Sequence, residues 1–241
     1  MNNINISIIT SLFKGSAFIE GFLFDITNQS IFNECELLII GANSPHKEIE
    51  DHYIGKFQYK FDNIKYISLD SDPGIYAVWN IGVKNAKGKY LTNANVDDRK
   101  HVNNLEIMKK HLDQDPSIDL VYGEYLETQL PNESFKHNTA QFKFPSLDFS
   151  VENMLKVNSP HSGPMWRKDL HERFGNFNDS YRSAGDYEMW LRAAFQGAKF
   201  KKINQVLSLY YRNPQGISSK KEYLDHNIKE FHQIKALYEK Q

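Results

Sequence analysis

The sequence predicts an α/β fold in which a mostly parallel central sheet is flanked by helices and followed by a C-terminal helical extension. Three observations carry that expectation. Short β-branched apolar runs alternate with segments whose apolar residues fall at helical spacing, small or polar residues follow the end of each run, and the tail is a single amphipathic pattern.

Ile6 to Thr10 and Glu36 to Ile40 are apolar runs of the kind buried on both faces of a parallel sheet. Between them Phe18, Ile19, Phe22, Leu23 and Ile26 have helical spacing, with Ser16 placed as the N-cap. The first forty residues are therefore a βαβ unit. Lys65 to Leu69 is a third strand. Ile75, Val78, Trp79, Val83 and Ala86 mark a helix that Gly88 is expected to end in the left-handed conformation. Tyr90 to Asn93 is a fourth strand, running into Asn95-Val96-Asp97-Asp98 at the carboxyl edge of the sheet, where open α/β folds bind ligands.

Val102, Leu105, Met108 and Leu112 predict another helix, and Asp119 to Tyr125 another strand. From Glu127 to about Ser150 the chain is polar and broken by Pro131 and Pro145, a long surface connection. Pro160 to Trp166 is expected to be a strand, and Ala184 to Phe195 a helix that Gly197 stops. Val206 to Tyr211 is the last strand. Glu222 to Tyr238 is an amphipathic helix carrying Leu224, Ile228, Phe231, Ile234 and Leu237. With no repeats or low-complexity tracts, the expected division is one domain over 1–218 and the helix over 219–241.

The 241 residues carry 29 Lys+Arg against 30 Asp+Glu, and a net charge of -1 argues against a nucleic-acid partner. One cysteine, Cys35, excludes an internal disulfide, and no apolar run is long enough to span a membrane. Met1-Asn2-Asn3-Ile4-Asn5 lacks the features of a signal peptide, so a cytoplasmic protein is expected. Aromatic residues make up 13% of the chain, which suits core packing and sugar stacking equally.

Two acidic segments stand out. Asp97 and Asp98, with Asn95 nearby, are hard oxygen ligands suited to Mg²⁺ or Mn²⁺ bound together with substrate phosphates; the alternative is an acidic turn in which Asp98 caps the next helix. Asp186, at the start of a helix, suits a general base; the alternative is a carboxylate placed to meet the helix dipole. His161 is either a hydrogen-bonding partner for a sugar hydroxyl or a satisfied polar residue near the core. Trp166 and Trp190 could stack on a sugar, but Trp190, at helical spacing, is assigned to the core.

Taken in order, Ile6 to Thr10, Asn43-Ser44, Asp72-Pro73-Gly74-Ile75-Tyr76-Ala77-Val78-Trp79-Asn80-Ile81-Gly82, Ala86-Lys87-Gly88-Lys89-Tyr90, Asn95-Val96-Asp97-Asp98, Phe174-Gly175-Asn176-Phe177 and Gly185-Asp186-Tyr187-Glu188-Met189-Trp190-Leu191-Arg192 form one series. It resembles the family-2 glycosyltransferases of the GT-A fold, a Rossmann-like α/β domain, from about Ile6 to Ser218. The resemblance implies an inverting, single-displacement transfer from a nucleoside-diphosphate sugar to a hydroxyl of a glycan or lipid-linked acceptor. It implies that Asp97 and Asp98 hold a divalent metal, Mn²⁺ or Mg²⁺, and that Asp186 is the catalytic base. It places Ser11, Phe13, Asp72, Asn95 and Arg212 on the donor side and His161 on the acceptor side.

The chain departs from the family at two points. Gly41-Ala42-Asn43-Ser44 stands where an Asp usually grips the nucleobase, and Asn95 takes the first position of the acidic motif. A nucleotidyltransferase would be expected to carry a Gly-rich basic phosphate loop, where this chain has only Ser11-Leu12-Phe13-Lys14-Gly15. A non-catalytic nucleotide- or glycan-binding module is the third reading, motivated by the missing Asp. Lys220, Lys221, Lys229 and Lys235 beside the tail's apolar stripe suit packing on the domain, a homodimer contact or peripheral contact with a membrane.

Overall fold

The computed structural model describes residues 4–239, so the N-terminal expectation for Met1–Asn3 and the last two residues of the C-terminal helical extension lie outside the described residues. In chain order the elements are β1 (Ile6–Leu12), α1 (Ile19–Thr27), β2 (Cys35–Ala42), α2 (Lys47–Gln58), β3 (Ile64–Leu69), α3 (Ile75–Asn85), β4 (Tyr90–Asn93) and β5 (Arg99–Lys100). They continue with α4 (Asn104–Gln114), β6 (Leu120–Thr128), β7 (Phe142–Lys143), α5 (Val151–Lys156), β8 (Met165–Arg167), α6 (Leu170–Phe174), α7 (Gly185–Phe195), β9 (Phe200–Tyr211) and α8 (Leu224–Tyr238).

The strands form one mixed sheet in the order β3-β2-β1-β4-β8-β6-β9-β5, with β7 paired to β6. β3, β2, β1 and β4 run parallel. β8 is antiparallel to both β4 and β6, and β6 is parallel to β9. Two reversals restore direction, so the carboxyl ends of β1, β2, β3, β4, β6 and β9 all open on the same edge. The segment that enters β8 starts there too, and α7 starts there because it must return the chain to the amino end of β9.

The continuous apolar strand runs have a direct cause. Successive side chains point to opposite faces, and both faces are covered: Ile9, Leu38 and Ile40 pack with Trp166 and Trp190 on one side, while Ile8, Leu37 and Ile39 pack with Phe22 and Met108 on the other. Trp190 is core, as expected, and Trp166 packs against it with ring centroids 5.2 Å apart.

Several local expectations are corrected. Ser16 does not cap α1: the helix starts at Ile19 with Phe18 at the N-cap and no side-chain cap, and the Ser16 hydroxyl bonds instead to His46 Nδ1 at 2.9 Å. Gly88 does not take the left-handed conformation, since α3 ends at Asn85 and Ala86 is already extended. What Gly88 supplies is clearance, because a Cβ there would lie 2.5 Å from the Ser7 backbone nitrogen. Gly197 does stop α7, at φ +94°. The strand expected over Pro160 to Trp166 forms only at Met165–Arg167, because Gly163 turns the chain at φ +60°. Helix α2 escapes the apolar pattern because it buries only Glu50 and Ile54. The long connection after β6 carries the two-residue strand β7.

A buried contact beneath the sheet yields a pH prediction. Trp166 Nε1–H donates to His171 Nε2 at 3.0 Å, and His171 Nδ1 lies 3.2 Å from the Gly175 carbonyl, so the ring is neutral, with its proton on Nδ1. Burial, helped by Arg192 and Lys168, pushes its pKa down to about 4 from 6.5. The unfolded chain then binds the proton more readily than the folded one, so this contribution is complete above about pH 6.5 and is lost as pH falls toward 4. Thermal melts across that window are expected to fall more steeply for the native protein than for His171→Gln, whose amide oxygen can still accept from Trp166. Equal slopes would remove His171 as the source.

Candidate active site

The loop after β4 holds the acidic pair. Asp98 is tied on both oxygens: Oδ1 accepts from the Tyr211 backbone N–H at 3.0 Å, and Oδ2 from the Asn95 side-chain amide at 3.0 Å. Asp97 Oδ2 accepts from Asn213 Nδ2 at 2.9 Å. These bonds explain why position 95 tolerates an amide, since Asn95 donates a hydrogen bond to Asp98 where an aspartate would add a third negative charge. Burial and then the Asp97 charge push Asp98 up to about 8, and burial raises Asp97 as well. Behind the pair, burial pushes Lys100 down to about 8 and Asp25 up to about 6. A cavity of about 10 Å³, roughly one water in size, lies among Asp25, Asn93, Asp98, Lys100, Ser162 and Ser208.

Two crowded carboxylates whose charge is disfavoured suit a divalent cation, and the donor set limits how one would bind. Among the described residues no group of three or more His, Cys, Asp or Glu could hold a metal. A cation here would take Asp97 and Asp98 on one side and complete its shell with phosphate oxygens and water, as Mg²⁺ and Mn²⁺ commonly do. Asp97, held by one side-chain amide against two donors on Asp98, is the freer of the two carboxylates.

Asp186 occupies the first turn of α7 and is held from two other segments. Tyr76 of α3 donates its hydroxyl to Oδ1 at 3.0 Å, and Asn158, in the segment after α5, donates its amide to Oδ2 at 2.8 Å. Gly185 gives α7 its close approach to α3, because a Cβ there would lie 2.7 Å from the Tyr76 ring. His161 packs its ring between those of Tyr125 and Tyr210. It stands 5.0 Å from that of Tyr210, whose phenol is pushed up by burial and, to a lesser extent, by Asp98 and Asp97. Burial lowers the His161 pKa, and its Nδ1 is buried without a hydrogen-bond partner.

The other predicted residues lie on the same edge with differing freedom. Ser11 is partly buried near the end of β1, and Phe13 just past it is exposed. Asp72 is exposed and accepts from the Gly74 N–H at 2.9 Å, which ties its carboxylate into the turn before α3. Arg212 is already paired: its guanidinium grips Glu127 through Nη2 at 2.7 and 2.8 Å. Gly41 has a steric reason, since a Cβ there would fall 2.6 Å from the Tyr66 hydroxyl, which itself accepts from Lys47 Nζ at 3.2 Å. An aspartate at 41 would collide with Tyr66.

This acidic edge, with a second carboxylate entering at the start of a helix, can be compared with known proteins. The sequence profile described as "Glycosyl transferase family 2" matches residues 7–174, well over half of the chain. The chain belongs to glycosyl transferase family 2. Among similar family members, an uncharacterised glycosyltransferase of Methanocaldococcus jannaschii is 26% identical over 179 residues, covering 73% of this chain and 60% of that protein. The glycosyltransferase AglE of Haloferax volcanii is 25% identical over 224 residues, covering 90% of this chain and 70% of that one.

The GT-A-type α/β fold is shared with solved glycosyltransferases. Residues 1–349 of S. aureus TarS in complex with UDP-GlcNAc superpose with a TM-score of 0.76 at 16% identity, covering 98% of this chain and 66% of that one. The mannosyltransferase PcManGT of Pyrobaculum calidifontis, in complex with GDP-Man and Mn²⁺, gives 0.69 at 14% identity, covering 90% and 59%. The chain thus spans about 60% of the length of the M. jannaschii relative. Within this family-2 fold, sequence reasoning assigned no role to Tyr76, Asn158 or Asn213: Tyr76 lies inside the Asp72–Gly82 motif segment but is uncharged there, and Asn158 and Asn213 are uncharged side chains in unremarkable local contexts. The signal available for Asn213 was its place just after the last strand, beside Arg212.

Proposed function

We propose that this chain is an inverting glycosyltransferase that moves a sugar from a nucleoside diphosphate to a hydroxyl of a glycan or lipid-linked acceptor. The carrying observation is that Asp97-Asp98, after β4, and Asp186, in the first turn of α7, come from distant parts of the chain to the edge where the parallel strands end, each tied by partners from other segments. A nucleotide sugar bound over the acidic loop would present its anomeric carbon along that edge, with Ser11 and Phe13 on the base side and Asn95 toward the ribose. Asp186 takes the proton of the acceptor hydroxyl; the freed oxygen forms the new bond to the anomeric carbon as the bond to the diphosphate breaks and the electron pair leaves with the phosphate.

A divalent cation held by Asp97 and Asp98 would supply charge neutralisation at the departing diphosphate. Tyr76 and Asn158 orient the base, and His161 offers its unpartnered nitrogen to an acceptor hydroxyl. Arg212 would approach the diphosphate while still paired with Glu127. No helix among the described residues is long and apolar enough to cross a membrane. A lipid-linked acceptor would meet the basic residues around α8, Lys220, Lys221, Lys229 and Lys235.

The test is a thermal-shift screen of UDP, GDP and their sugars with Mn²⁺ present or chelated. A ligand at about 100 times its Kd stabilises the folded state by about 2.7 kcal/mol, a shift of about 5–10 °C for a domain of this size. The expected result is such a shift with a nucleoside diphosphate, larger with Mn²⁺. If no nucleotide sugar stabilises the protein or is turned over, the assignment is wrong.

A further inference from the structure

The side chain of Glu230, on α8, is not exposed with the helix's charged face; it is buried against the segment that leads into α7. There it accepts from three consecutive backbone N–H groups, Arg182 at 2.6 Å, Ser183 at 2.7 Å and Ala184 at 2.8 Å, and from the Ser183 hydroxyl at 2.9 Å. Burial alone would raise its pKa, but these donors outweigh it and hold the carboxyl below its usual range. Ala184 is the N-cap of α7, Gly185 its first residue and Asp186 its second, so the carboxylate satisfies donors that would otherwise be orphaned at the mouth of the site.

We infer that Glu230 is a positioning residue for Asp186, and that α8 belongs to the catalytic apparatus as the element that sets the base. The inference rests on Asp186 acting as the base. Its geometry is specific: Tyr76 and Asn158 fix the two carboxylate oxygens, while Glu230 fixes the backbone that carries them. One face of α8 is anchored, while Leu224, Ile228 and Leu237 stay exposed. Ile234 is fully buried, Phe231 stacks on Tyr187 at 4.6 Å, and the Tyr238 hydroxyl donates to Glu188 at 3.1 Å. Of the titratable groups around it, His226 Nε2 on the same helix lies 3.5 Å from a Glu230 oxygen, and Tyr181 also faces that carboxylate.

Glu230→Gln is the direct test, because an amide keeps the volume but sets an NH₂ group against at least one of the N–H donors. Tyr238→Phe is the control, loosening α8 through Glu188 without touching Glu230. Three measurements suffice: amide exchange at 182–184; the titration of the Asp186 carboxyl carbon by NMR, assigned through Asp186→Asn; and turnover of whichever nucleotide sugar the protein uses. Glu230→Gln is expected to speed exchange at 182–184 and move the Asp186 titration. It should also lower kcat about tenfold with the donor KM within about twofold, as a displaced catalytic group does. Tyr238→Phe should leave the Asp186 titration in place.

If Glu230→Gln speeds exchange but leaves the Asp186 titration and kcat unchanged, Glu230 merely holds the fold and the inference is overturned. An Asp186 titration that shifts equally in Tyr238→Phe overturns it as well. Full turnover in Asp186→Asn would instead remove the base assignment on which the inference stands, a result distinct from an inactive Asp186→Asn beside a fully active Glu230→Gln.

Discussion

Asp186→Asn is expected to lower sugar transfer by about 10²- to 10⁴-fold, the range for removal of a positioned general base. The substitution should fold. Asp186 accepts from Tyr76 and Asn158, and the Asn158 amide has its Oδ1 buried without a partner. If residue 186 becomes an amide, Asn158 can rotate and offer that oxygen to the new NH₂ group, so the hydrogen bond survives with donor and acceptor exchanged. The loss should therefore fall on kcat, with donor affinity within about threefold of the native value, because in the proposed reaction Asp186 meets the acceptor hydroxyl and not the donor. Steady-state turnover beside a donor titration checks both halves. Turnover within threefold of native in a protein with a native melting curve would show that another group takes the proton.

The second large effect is expected at the acidic loop. Asp97→Asn keeps an oxygen for Asn213 and removes one negative charge from the pair, which relieves Asp98 of its charged neighbour. The fold should thus be no less stable. What should disappear is the part of nucleoside-diphosphate binding that depends on a divalent cation, and with it about 10²-fold or more in turnover, the scale of one electrostatic contact to a developing anion. Calorimetric titration of UDP or GDP, with and without Mn²⁺, reads this directly. A variant that still binds the nucleotide more tightly with Mn²⁺, by the native factor, would exclude Asp97 as a ligand. The matching substitution at Asp98 is less clean, because that carboxylate also holds the Tyr211 backbone and Asn95.

Much of this fold was legible in the chain for one reason. Strands covered on both faces leave continuous apolar runs, so β1, β2 and the helix between them were found where they lie, as was α7 with its stop at Gly197. Elements that bury little left no trace. Helix α2 hides only two residues, and β5 and β7 have two residues each. Two local assignments, Ser16 as a cap and Gly88 as a left-handed stop, followed sound local rules that tertiary partners overrode: His46 takes the Ser16 hydroxyl, and the Ser7 backbone leaves no room for a side chain at 88.

The candidate site divides along the same line. Sequence by itself brought forward the carboxylates Asp97, Asp98 and Asp186 as candidates, because charged groups at strand ends and helix starts stand out from their neighbours and fall in the order of the family's motifs. Only the tertiary structure decided what holds them. Tyr76 reaches Asp186 across 110 residues, Asn213 reaches Asp97 across 116, and Glu230 reaches Ala184 across 46. Local pattern reports on neighbours within a few residues, as helix and strand periodicities do. A hydrogen bond that exists only after a nine-stranded sheet has brought its strand ends to one edge has no such periodicity to betray it.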